Sequence, residues 1–178
     1  MMRTATTLKV RTQGSALIVS LVLLVAMTLL ALASVRGTSL QERMGANLYD
    51  RELGFQAAEA GIRAAEIRLA AIAAGGGVPD FNGLNGMYPR PVPAEGKADR
   101  WNDAATNWAA APAVATGPRN VTPQYIIEDM GEWPDPPDCI KQVEIPPGCM
   151  APRYRITARN QAPGNPGAQV MLQTTYRP

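Results

Sequence analysis

The sequence predicts an α+β fold in which one long N-terminal helix lies on an antiparallel sheet. Three observations carry this. An uncharged, proline-free apolar stretch runs from Ser15 to Val35. Behind it, apolar residues recur at alternating three- and four-residue spacing from Phe55 to Ile72. The last third of the chain, from about residue 124, holds short alternating segments rich in Ile, Val, Thr and Tyr.

The first 14 residues are a polar leader carrying Arg3, Lys9 and Arg11 and ending at Gly14. About 21 apolar residues follow, a helix of roughly 31 Å, enough to cross a bilayer core of about 30 Å. Basic residues beside such a helix stay on the cytoplasmic side, so the N-terminus is inside and the remainder outside. Three fates of the segment are open. It is a signal anchor that keeps its leader, a signal peptide cut after Ala31-Leu32-Ala33, or a helix freed by a cytoplasmic cut between Gly14 and Ser15.

The helical pattern does not stop at Val35. Phe55, Ala58, Ile62, Ala65, Leu69 and Ile72 form one packing stripe, with Leu48 ahead of it. Glu52, Glu59, Arg63, Glu66 and Arg68 fall off the stripe, and Glu59–Arg63 is an i,i+4 pair in the favourable order. One helix is therefore expected from about Ser15 to about Ala74, with residues 36–74 as its amphipathic continuation. Gly37, Gly45, Gly54 and Gly61 interrupt it, each costing about 1 kcal/mol against Ala. Close packing explains them, and a bend near Gly37 to Gly45 is the other reading. Gly75-Gly76-Gly77 ends the helix. It is no phosphate loop, because it follows a helix and lacks Gly-Lys-Ser/Thr.

Residues 75–123 read as a loop region broken by Pro79, Pro89, Pro91, Pro93, Pro112, Pro118 and Pro123. Trp101 and Trp108 lie in an Ala-rich piece that reads as a short helix packing both rings inward. Residues 124–178 read as an antiparallel sheet. Its strands are Gln124–Glu128, Arg153–Ala158 and Ala168–Tyr176, the last with Val170, Leu172 and Thr174 on one face.

Composition narrows the function. With no histidine the commonest general base and metal ligand are missing. Net charge is +2, and three of the basic residues are in the leader, so no basic face argues for nucleic-acid binding. Cys139 and Cys149 lie ten positions apart, and export would make them a disulfide worth roughly 2–3 kcal/mol in the chain-entropy model. Glu128, Asp129, Glu132, Asp135, Asp138 and Glu144 are candidates for a glycosidase-like carboxylate pair, and they read as solvated loop charges. Asp135 and Asp138 could offer oxygen ligands to calcium, but not at EF-hand spacing. No cofactor or metal site is expected.

A polar leader ending in glycine before a long two-part helix is the plan of type IV pilins. The chain resembles the PilX family of minor pilins in Gly14-Ser-Ala-Leu-Ile-Val, Thr38-Ser-Leu-Gln-Glu-Arg-Met44, Asn47-Leu-Tyr-Asp-Arg51 and Phe55-Gln-Ala-Ala-Glu-Ala60. Phe81-Asn-Gly-Leu-Asn-Gly86, Tyr154-Arg-Ile-Thr-Ala158 and Leu172-Gln-Thr-Thr-Tyr-Arg177 also resemble it.

The resemblance implies a type IV pilin-like fold. It implies cleavage between Gly14 and Ser15 by a prepilin peptidase and methylation of the Ser15 amine. It implies residence in the inner membrane of a Gram-negative bacterium and then in a pilus at the cell surface. Partners would be other minor pilins, met through the helix, in a complex that primes assembly and caps the tip. The Cys139–Cys149 bridge would close a loop that pilins commonly use for surface contacts. One position departs from the pattern. Most pilins carry Glu at the fifth residue after the cut, where this chain has Val19. A charge there costs about 2.5–3.5 kcal/mol in lipid and needs a partner, so its loss fits a terminal subunit. A minor pseudopilin of type II secretion is the near alternative, and a bitopic or secreted periplasmic binding protein the more distant one.

Overall fold

A computed structural model describes residues 14–92, 99–116, 119–142 and 144–178. Arg3, Lys9, Arg11, Pro93 and Pro118 lie outside the described residues. Helix α1 spans Ser15–Ala74. The chain divides into two units, one ending at Ala46 and the other comprising Asn47–Pro178. In the first, every described residue is exposed.

The second unit is α+β. Strands β1 (Met87–Tyr88), β2 (Ala109–Ala110), β5 (Gln124–Pro134), β6 (Met150–Arg159) and β7 (Met171–Tyr176) make the main sheet, in the order β1-β5-β6-β7. Strands β3 (Val114–Thr116) and β4 (Arg119–Val121) form a separate hairpin. β5, β6 and β7 run antiparallel. β1 pairs with β5 in parallel and β2 pairs with it antiparallel, so the sheet is mixed along that side of β5 rather than purely antiparallel. A bulge between Asp129 and Glu132 interrupts the β5–β6 register.

The helix reaches the sheet through small residues. Gly54, Ala57, Ala58, Gly61, Ala65 and Leu69 are its buried positions. A Cβ on Gly61 would sit 3.1 Å from the Ala158 Cβ and 3.3 Å from the Pro123 Cβ. A Cβ on Gly54 would sit 3.0 Å from both Asn160 Nδ2 and Val170 Cγ2. Among the described residues nothing lies within 4 Å of a Cβ placed on Gly37 or Gly45. Of the sequence-derived stripe, Ala58, Ala65 and Leu69 are buried and Ile62 and Ile72 half-buried. Phe55 is not part of the packing face: it is 42 % exposed, and Gly54 and Ala57 take the sheet side in its place.

Above this stripe the sheet presents Tyr125, Ile127, Tyr154, Ile156 and Ala158, with Met87 and Ala111 completing the buried cluster. Phe81 stacks on Tyr154 with ring centroids 5.5 Å apart. Burial, and then the Asp129 carboxylate, raises the Tyr154 phenol above its ordinary value of 10.0. Its contribution to stability is full below pH 10.0 and is lost as pH climbs through the higher folded value.

Glycine is obligatory at two turns. Gly76, at φ 67°, ends α1 in a Schellman arrangement: Gly77 N–H donates to Ile72 O (3.0 Å) and Gly76 N–H to Ala73 O (3.0 Å). Gly86, at φ 74°, leads into β1, and a Cβ there would fall 2.8 Å from Tyr125 O. A substitution that fills the helix–sheet gap should therefore be felt. Gly61→Leu is expected to lower unfolding stability by about 1–3 kcal/mol in denaturant titrations. Gly45→Ala should leave it unchanged or slightly higher.

Candidate assembly surfaces

Residues 14–49 form a continuous exposed stretch, including Leu17, Ile18, Leu21, Leu24, Leu29 and Leu30. Three of its hydroxyls are satisfied within the helix. Ser20 Oγ donates to Leu17 O at 2.9 Å, Thr28 Oγ1 to Val25 O at 2.8 Å and Thr38 Oγ1 to Val35 O at 2.9 Å. That is the condition for a helix in lipid or among other apolar helices. The helix is long and apolar enough to cross a membrane. Gly14 lies just before its first turn, Ser15 opens it, and Val19 is exposed on its surface.

The sheet face away from α1 is polar and tightly paired. Glu128 is fully buried on β5, which corrects its reading as a solvated loop charge. The strand puts it opposite Arg155, on the face that α1 does not cover. Arg155 Nε donates to Glu128 Oε2 at 2.8 Å, and Arg155 Nη2 lies 2.8 Å from the same oxygen as an ion pair. Glu128 Oε1 lies 3.5 Å from Arg100 Nη1 and has no hydrogen-bond partner among the described residues.

The two tryptophans close over this face. No helix joins them: Trp101 sits in a three-residue 3-10 turn, Arg100–Asn102, and Trp108 in the following loop. The arginines of β6 decide their placement. Arg155 stacks on Trp101 at 4.8 Å, and Arg159 on Trp108 at 4.0 Å. Arg100 covers Tyr88 at 4.8 Å and donates to Pro89 O at 2.6 Å. Arg159 also donates to Gln124 Oε1, from Nε at 2.9 Å and Nη2 at 2.6 Å. Burial lowers its pKa from the ordinary guanidinium value. The sequence signal for this layer is the alternation in Arg153–Ala158, which places Arg155 and Thr157 on the face opposite Tyr154 and Ile156.

Cys139 and Cys149 are joined in a disulfide, with Cα atoms 5.7 Å apart. The bridge closes a loop that begins with the 3-10 turn Pro137–Lys141 and meets β5 where Asp135 N–H donates to Cys149 O at 2.7 Å. The two carboxylates considered for calcium are paired with cations: Asp135 with Arg177, and Asp138 with Lys141 at 2.6 Å. Among the described residues no group of three or more Cys, Asp or Glu is placed to hold a metal.

Removing Arg155 would leave Glu128 buried beside a single distant guanidinium. Arg155→Ala is expected to destabilise the fold by about 3–5 kcal/mol, read as a shift of the urea midpoint. Replacing Glu128 and Arg155 together by leucine should recover most of the loss, because no buried charge is then left behind.

A family model described as PilX N-terminal matches residues 13–63, and one described as Type IV pilus assembly protein PilX C-term matches residues 67–178. Comparison with curated proteins and with solved structures gives no match. The two family matches together take in the long apolar helix and nearly all of the sheet unit, and the chain belongs to the PilX family of type IV pilus assembly proteins.

Proposed function

We propose that the chain is a minor pilin, a structural and non-enzymatic subunit that enters a type IV pilus through α1. The observation that carries this is the uncovered apolar segment of α1, residues 15–35, in a chain that also holds a folded α+β unit. Such a helix leaves a bilayer only when other helices cover it, and the core of a helical filament supplies that cover. Before assembly it holds the chain in the inner membrane as a single pass, N-terminus inside.

A prepilin peptidase cuts between Gly14 and Ser15, and the new Ser15 amine is methylated. Val19 removes the carboxylate through which a pilin helix would meet a neighbouring amino terminus. That favours a terminal place, at the tip with other minor pilins, where the subunit primes assembly. The paired state of Glu128, Asp135 and Asp138 supports a structural role over a catalytic one.

The N-terminal mass of the chain from sheared surface filaments tests the reading. A first peptide beginning at N-methylated Ser15 is the expected result, and Gly14→Glu should abolish it and leave the leader attached. A chain beginning at Met1 or Ser34 would overturn the proposal. Recovery of the Ser15 form with a secretion pseudopilus, and not with pili, would point to a minor pseudopilin instead.

A further inference from the structure

The two sides of the main sheet are treated differently. The outer side of β5 is occupied by β1 and β2. At the other side β7 ends the sheet, and among the described residues nothing pairs with its free edge. Exposed edges are usually blunted by charge, proline or a bulge. The segment Met171-Leu-Gln-Thr-Thr-Tyr176 has none of these, and its register with β6 is unbroken over six pairs.

The direction of its backbone groups follows from one hydrogen bond. Asn160 N–H donates to Val170 O at 3.1 Å, so Val170 faces β6. Antiparallel strands alternate inward- and outward-bonding residues. Leu172, Thr174 and Tyr176 then bond to β6, and the N–H and C=O groups of Met171, Gln173 and Thr175 point outward. On the helix side Leu172, Thr174 and Tyr176 are only half-buried, so the core layer is incompletely covered along this edge.

We infer that β7 accepts an extended strand from a neighbouring, different subunit of the same filament, which continues the sheet by one strand. The inference rests on the minor-pilin reading. Six residues fall far short of the about 20–30 residues a side of a stable free interface. An edge this short is suited to a partner already held alongside, whose effective concentration makes a small contact count. The uncovered α1 segment provides that tether. The edge is neutral, so the incoming strand is recognised by its backbone, with apolar side chains toward Leu172 and Tyr176.

Thr175→Pro deletes an outward N–H while sparing the bonds to β6, and Thr175→Val keeps the N–H. Full-length variants would be expressed in pilus-producing cells, with melting of the purified chains confirming the fold. A photo-crosslinking residue at Gln173 would report the neighbour. The expected result is at least a tenfold loss of the Thr175→Pro chain from sheared filaments, with Thr175→Val at the wild-type level. The expected crosslink joins residue 173 to an extended segment of another pilin. A folded Thr175→Pro chain at wild-type abundance in filaments, or adducts only to a second copy of this chain, overturns the inference. Absence of the wild-type chain from filaments overturns the minor-pilin reading itself, and the strand partner with it.

Discussion

How closely α1 can approach the sheet governs the rest of the second unit. A helix usually keeps its distance through large side chains, but here Gly54, Ala57, Ala58, Gly61 and Ala65 bring backbone close to strand. Large residues are therefore supplied by the other partner. Tyr125, Ile127, Tyr154 and Ile156 stand on the sheet and fill the space that the helix leaves. The same closeness lets the carboxylate of Asp50 accept a 2.6 Å bond from Ala168 N–H, which ties the turn before β7 to the helix. Asn160 secures the other end of that turn through Ala168 O and Val170 N.

The opposite face of β5 and β6 solves a different problem. It has no helix to cover it, and it carries Glu128 inside the fold. Desolvating a carboxylate is tolerated only when cations and hydrogen bonds replace water. Arg155 does this directly, and the loop bearing Arg100, Trp101 and Trp108 supplies the lid. The stretch 99–108, which contains no strand, is thus held on this face by ring–guanidinium stacking. Each aromatic has an arginine from outside its own loop or from the loop's far side, so the layer assembles only on the finished sheet.

These two faces differ in how far they could be read from sequence. The long helix and the antiparallel strands announce themselves through local periodicity, and Gly75–Gly77 marks the helix end. Phe55 misleads because it keeps the spacing of the stripe while the smaller Gly54 and Ala57 lie against the sheet. A hydrophobic count cannot register a contact made by the absence of a side chain. Glu128 misleads for a complementary reason. Its partners Arg155 and Arg100 are 27 residues after it and 28 before it, and nothing local distinguishes a buried carboxylate from a solvated one. Two-residue strands such as β1 and β2 carry no period at all.

The small-residue stripe also bears on how the chain folds. The bond from Ala168 to Asp50 spans 118 residues, so the helix is made long before the strands that cover it. Contacts of such separation form late and slowly. A stripe of leucines would wait through that interval as an adhesive surface, open to other unfinished chains. Alanine and glycine offer little for a wrong partner to hold. The helix face that permits the tightest native contact is thus the one least prone to premature capture, and the chain gains time for its sheet to arrive.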